Sequence, residues 1–172
     1  MDSTMAESGT STLTEGGSSF KIARGTRTYE CADYNVAWIC ALRDTELLAA
    51  RILLDEEHNT PAYNTQYDRN IYICGKFGEH KVVVACLPSG RSGNVNAGHL
   101  TGPMFHTFPN IKITLLVGIG GGVPPQSAQD PSEDMYLGDV VIGWPGDGTP
   151  AVVQYDSGRW KVDGFEQRGS VE

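Results

Sequence analysis

Asn35-Val36-Ala37-Trp38-Ile39-Cys40-Ala41-Leu42 is a near-continuous apolar run, the pattern of a strand covered on both faces rather than one with a wet side. A core must then lie above and below the sheet. Directly after it, Asp44 or Thr45 is placed to cap a helix running through Leu54, in which Leu47, Leu48, Ile52 and Leu53 have helical spacing. The order is β then α.

Outward from this unit, Asp55 to Asn70 has the Asn, Thr and Pro content of a loop. Ile71-Tyr72-Ile73-Cys74-Gly75 and His80-Lys81-Val82-Val83-Val84-Ala85-Cys86 are two β-rich runs separated by Phe77-Gly78-Glu79, which predicts a hairpin. After Leu87-Pro88-Ser89-Gly90 comes the small-residue turn Arg91 to Ala97, leading into a helix that carries Leu100, Met104, Phe105 and Phe108. Gly98, Gly102 and Pro103 oppose that helix by several kcal/mol, Pro alone by ~3, so a kinked or short helix is expected. Further strands are expected at Ile111–Val117, Gly138–Gly143 and Ala151–Asp156. The fold class is α/β, a mixed central sheet flanked by helices.

In the other direction, residues 1–33 form a Ser/Thr/Gly-rich leader, expected to be disordered because it has too little apolar surface to order itself. The domain then occupies 34–172. A chain of 172 residues has room for one such domain, since domains cluster at roughly 100 to 150 residues. The formal charge of -8 would repel a phosphate backbone, so nucleic acid is not expected as a partner. The leader holds no apolar signal-peptide core, and no run of about 18 apolar residues could span a bilayer. A cytoplasmic protein that does not enter membranes is expected. Cys31, Cys40, Cys74 and Cys86 show no metal-ligand spacing and read as small buried hydrophobes in a reducing compartment. His80, His99 and His106 share neither a face nor a metal spacing, so they read as surface or satisfied core residues.

Gly118-Ile119-Gly120-Gly121-Gly122 follows a strand, as a dinucleotide-binding turn does, but such a turn needs a helix to begin at it. Val123-Pro124-Pro125 does not propagate one. A phosphate-cradling loop fails too, because no Gly-Lys-Ser/Thr follows. Two readings stay open. Either the glycines permit a sharp exit from a strand at positive φ, or they let backbone groups approach a flat ligand that a Cβ would block.

Together, Val36 to Leu42 with a following Glu46, Leu87-Pro88-Ser89-Gly90, Val117 to Pro124 and Leu137-Gly138-Asp139-Val140-Val141 resemble the purine nucleoside phosphorylase and nucleosidase superfamily. The likeness is closest to the fungal version at the front of NLR-like multidomain proteins. Val152-Val153-Gln154-Tyr155-Asp156, Gly164-Phe165-Glu166 and Arg168-Gly169-Ser170 are similar to that branch as well.

The resemblance implies a nucleoside phosphorylase-like fold and cleavage of the N-glycosidic bond of a purine nucleoside, by water or by phosphate as co-substrate, without a metal or other cofactor. Glu46 resembles the glutamate that handles the attacking water in nucleosidases, although that glutamate stands three residues beyond the strand-ending leucine and Glu46 stands four beyond Leu42. Asp44 is its rival, and an exposed helix-terminal charge is the plain alternative. Ile119, Gly120 and Gly121 correspond to the family's pocket-lining turn, and Ser92 and Gly93 to a second substrate-binding turn. Arg91 is the candidate phosphate contact, with a solvated loop as its plain alternative. Ile119 and Leu116 stand where phosphate-using relatives carry serine and arginine. Asp139 is implied to be structural.

By the same resemblance, the base-protonating aspartate and the acidic ribose-binding segment belong beyond Val171. The domain is thus expected to be incomplete at its C-terminus, with an exposed sheet edge. Two functions follow: a purine nucleoside hydrolase or phosphorylase, or a non-catalytic nucleoside-sensing or interaction module of the NLR-like type. A homo-oligomer, or linked NLR-like domains in a longer product, is expected around it.

Overall fold

The computed structural model describes residues 11–15, 18–22, 24–123, 134–144, 146, 151–152 and 158–167. In chain order it places β1 (Ser11–Glu15), β2 (Ser18–Ile22), β3 (Arg24–Thr28), a 3-10 turn (Cys31–Asp33) and β4 (Val36–Cys40). A π-turn (Arg43–Leu47) leads into α1 (Leu48–Leu53), followed by β5 (Glu56–Asn59), β6 (Tyr72–Phe77) and β7 (His80–Cys86). Then come α2 (Asn94–Thr107), β8 (Ile113–Leu116), β9 (Gly158–Lys161) and β10 (Gly164–Gln167). The chain divides into two units, Met1–Gly120 and Gly121–Glu172.

In the first unit a six-stranded sheet runs β3-β5-β6-β7-β4-β8. It is mixed: β7, β4 and β8 are parallel, and the β5–β6 and β6–β7 pairs are antiparallel. The predicted two-sided strand is β4, and its side chains alternate between two cores. Ala37 and Ile39 point into a cluster with Val83, Ala85 and the α2 residues Leu100 and Met104. Val36 and Cys40 point the other way, toward Val82, Val84, Ala50 and Leu54. One helix therefore covers each face, and the loops leaving β7, β4 and β8 emerge at one edge, where open α/β sheets place their ligands.

Several expectations are corrected. Regular structure begins before residue 34: β3 pairs with β5, and Tyr29 and Cys31 pack on the main cluster. The domain boundary at residue 33 thus cuts through packed structure. β5 lies in the stretch read as a loop; its polarity follows from its position next to the edge strand, where Arg51 forks onto Glu57. Neither Asp44 nor Thr45 caps a helix, since both lie inside the π-turn. The buried helical face is Glu46, Ala50 and Leu54, and Leu48, Ile52 and Leu53 face outward.

The second helix is not short. α2 runs 14 residues through Pro103, because Leu100, Met104 and Phe108 are all buried. Such burial is worth roughly 1.5–3 kcal/mol per side chain, enough to offset Pro near ~3 and each Gly near ~1. The hairpin forms as read, closing at Phe77↔His80. β8 forms the sheet edge, with Leu116 76% exposed.

In the second unit Gly138–Gly143 is not a strand. Extended backbone becomes a strand only with a ladder partner, and none of the described residues supplies one. Of Ala151–Asp156, residues 153–156 lie outside the described ones, as does Arg168-Gly169-Ser170. The hairpin β9–β10 escaped the sequence reading; it carries Glu166 paired with Arg159 and Lys161.

The loop between β5 and β6 is pinned by Asp68, a fully buried carboxyl. It accepts bonds from the Tyr72 hydroxyl (2.7 Å), the Thr107 hydroxyl (2.6 Å) and the Asn70 N–H (3.0 Å). Asp68→Ala leaves the buried Tyr72 hydroxyl and its two half-buried neighbours without this acceptor and should cost about 2–4 kcal/mol. Urea unfolding of the two proteins checks this, and a loss under about 0.5 kcal/mol, the size of an ordinary surface change, would show that solvent replaces the carboxyl.

Candidate functional site

β4 ends at Cys40, and the chain turns through Ala41 and Leu42 into the π-turn. Both Glu46 N–H and Leu47 N–H donate to the Leu42 carbonyl, at 3.1 and 3.2 Å. The second of these is the i to i−5 bond of a π-turn, which fits one more residue into a turn than an α-helix does. The offset of Glu46, four residues past Leu42 instead of three, is absorbed here. The widened turn sends the side chain back over the strand end, where it is 8% exposed.

Among the described residues, the carboxylate there is held by backbone N–H groups. Ala41 and Leu42 N–H donate to Oε2 at 2.7 and 2.8 Å, and Ile119 N–H donates to Oε1 at 3.0 Å. Glu46 therefore ties the exit of β4 to the exit of β8. Burial opposes its ionisation, but the hydrogen bonds from Leu42, Ile119 and Ala41 outweigh burial and hold the carboxyl below its ordinary range. An ionised carboxylate has about four acceptor sites, so among the described residues these three donors leave one, on Oε1. Asp44, the rival, is exposed.

The same geometry explains the first glycine of the turn. A Cβ on Gly118 would lie 2.6 Å from Glu46 Oε1 and 3.1 Å from its Cδ, inside van der Waals contact. None of the glycines from 118 to 122 has a positive φ, so the reading in which they permit a sharp left-handed exit is corrected. What Gly118 supplies is room for a carboxylate. At Gly120 a Cβ would meet nothing within 4 Å among the described residues, so within the first unit the backbone there is open to approach. Ile119 is exposed, and Gly120 closes the first unit while Gly121 opens the second.

The second turn follows β7. Pro88-Ser89-Gly90-Arg91 closes through Arg91 N–H to the Pro88 carbonyl at 3.0 Å, with Gly90 at φ +75°. Gly93, at φ +89°, is the N-cap residue of α2 and brings no side-chain cap. Ser92 is exposed, and its carbonyl accepts a bond from Asn96. Arg91 is exposed and makes no side-chain bond among the described residues. Because β4 lies between β7 and β8 in a parallel arrangement, Glu46, Ser92, Gly93, Ile119 and Gly120 all lie along one edge of the sheet.

Sequence reasoning missed His58. It is buried, receives or donates a 3.2 Å bond at Nδ1 with the Tyr34 hydroxyl, and lies tilted against the Tyr29 ring with centroids 4.5 Å apart. Burial lowers its pKa. Only β5, which read as a loop, could have pointed to it. His80, His99 and His106 are exposed. All four cysteines are free thiols; burial pushes Cys40 up to about 11 and Cys74 to about 12, leaving them poor nucleophiles. Among the described residues no acidic, His or Cys group is placed to hold a metal, and no helix is long and apolar enough to cross a membrane. Asp139 accepts the Tyr136 N–H at 2.8 Å and closes a local turn.

Over 137 residues, 80% of its length, the chain is 40% identical to a nucleotide-binding leucine-rich repeat (NLR)-like protein of Hyaloscypha variabilis (strain UAMH 11265 / GT02V1 / F). It spans 13% of that relative's length. No family model and no solved structure matches the chain. The chain is thus related to part of a fungal NLR-like protein.

Proposed function

We propose that this region of an NLR-like protein cleaves the N-glycosidic bond of purine nucleosides, with water as the attacking group and Glu46 as its base. The supporting observation is the placement of an ionised, backbone-held carboxylate with one free acceptor site, at the carboxyl ends of two parallel strands and beside an open glycine backbone. A bond forms between the water oxygen and the anomeric carbon as the bond to purine N9 breaks. Glu46 takes the water proton, and a second acid, the aspartate implied by the resemblance, protonates N7. The transition state is cation-like at the sugar, and a fixed carboxylate near it is favourable. Phosphate is the poorer nucleophile here because the same carboxylate would repel it.

A longer product that carries this chain together with the segment implied to hold that aspartate is assayed with inosine and adenosine, with and without phosphate. Free base and free ribose are expected, at a rate phosphate does not raise. Ribose 1-phosphate as product would overturn the assignment of water. Nucleoside binding without base release would favour the second reading, a sensing module in which Glu46 serves only to tie β4 to β8. Three backbone bonds to one carboxylate are the observation behind that reading.

A further inference from the structure

A second feature lies on the α1 side of the sheet, where the end of β7 meets the start of β6. A cleft of about 380 Å³ opens there, bounded by Arg43 of the π-turn, Arg51 of α1 and Arg69 of the loop before β6. Ile71, Val84 and Pro88 are among its apolar walls. Its volume falls within the roughly 300–1,000 Å³ of small-molecule sites. No carboxylate lines it, although the chain as a whole carries a formal charge of -8.

The charge of the cleft can be counted. Arg51 is neutralised by a bidentate pair with Glu57, closest at 2.8 Å. Arg43 and Arg69 make no ion pair or side-chain hydrogen bond among the described residues and are exposed. Two unpaired positive charges therefore border a cleft whose other walls are mostly apolar, with Asn70 and the Glu57-paired Arg51 among them. Guanidinium forks match phosphate oxygens in geometry, and a phosphate monoester carries about −1.5 to −2 at pH 7. A monoanion would leave one arginine unmatched, and inorganic phosphate would leave the apolar walls wet.

We infer that this cleft binds a small organic phosphate monoester, its dianion between Arg43 and Arg69 and its apolar body against Ile71, Val84 and Pro88. Arg51, held by Glu57, forms the back wall. The site is separate from the Glu46 carboxylate and does not depend on nucleoside cleavage. Its ligand would, however, contact the same π-turn that carries Glu46.

Titration calorimetry of the full chain with phenyl phosphate, inorganic phosphate and benzoate tests the inference. Phenyl phosphate is expected to bind at least about tenfold more tightly than either other probe, since each lacks one half of the match. Between pH 7 and pH 5 its affinity should fall as the second phosphate ionisation, near ~6, is lost. Arg43→Gln and Arg69→Gln are each expected to weaken it about tenfold or more. Lys112→Gln, which removes an exposed charge outside the cleft lining, should not change it. If one arginine variant misfolds, the other and the pH series still decide. No measurable binding of phenyl phosphate, equal binding of inorganic phosphate, or affinity indifferent to both arginine changes would each overturn the inference.

Discussion

Glu46→Gln is expected to lower the rate of purine release from inosine by about a hundredfold to ten-thousandfold, the range for a positioned general base. The loss should fall on kcat and leave KM nearly unchanged, because in the proposed mechanism the residue acts on water and not on the nucleoside. Stability changes too, by about 1–3 kcal/mol. A glutamine has one carbonyl oxygen, so it can face the Ala41 and Leu42 donors or the Ile119 donor, and its NH₂ must oppose the rest. The two effects separate with pH. Glu46 has a folded pKa below its unfolded value, so its contribution to stability is complete above the unfolded pKa of about 4.3 and is lost as pH falls through the lower folded value. The stability gap between parent and variant should therefore be full at pH 6, begin to shrink as pH falls below about 4.3, and close only below the lower folded value. Equal turnover by a variant that remains folded would remove Glu46 from the chemistry and leave it as a tie between strands.

How much of this was legible beforehand depends on what each residue's neighbours were. β4, β6, β7 and β8 could be read because their apolar runs are local facts, and β4 alternates between its two cores as a two-sided strand must. β5 could not, because Glu56-Glu57-His58-Asn59 owes its extended form to β3 and β6 on either side and not to its own propensity. α2 was underestimated for a related reason. Pro103 and two glycines are visible in the sequence, whereas the burial of Leu100, Met104 and Phe108 exists only once β4 and β7 are in place. Gly138–Gly143 erred in the other direction, since β-rich composition supplies no ladder partner.

At the site, Glu46 and the glycine turn could each be picked out, but the contact between them, 73 residues apart in sequence, could not. The π-turn was hidden in the same way. One surplus residue between Leu42 and Glu46 looked like a mismatch with the nucleosidases that the sequence resembles, and only the backbone shows it folded into a wider turn.

That contact makes Gly118→Ala the sharper probe of the pair. Gly118 does not have a positive φ, so alanine meets no backbone penalty and the whole effect comes from its Cβ. At 2.6 Å from Oε1 that atom must displace the carboxylate, breaking the bond to Ile119 N–H and moving the remaining acceptor site. A displacement of about 1 Å is enough to cost on the order of a hundredfold in rate, and the lost charged hydrogen bond should cost about 1.5–3 kcal/mol of stability. Gly120→Ala is the matched control, with nothing within 4 Å of its Cβ. It should leave stability within about 0.5 kcal/mol and, if a nucleoside lies on that backbone, raise KM instead of lowering kcat. The double variant Gly118→Ala with Glu46→Gln decides between a shared and a separate origin. If Gly118 acts only through the carboxylate, the double variant is no slower than Glu46→Gln alone. Rate losses that multiply would show that Gly118 touches the reaction by a route of its own, and the Glu46–Gly118 contact would then not be the unit that holds the attacking water.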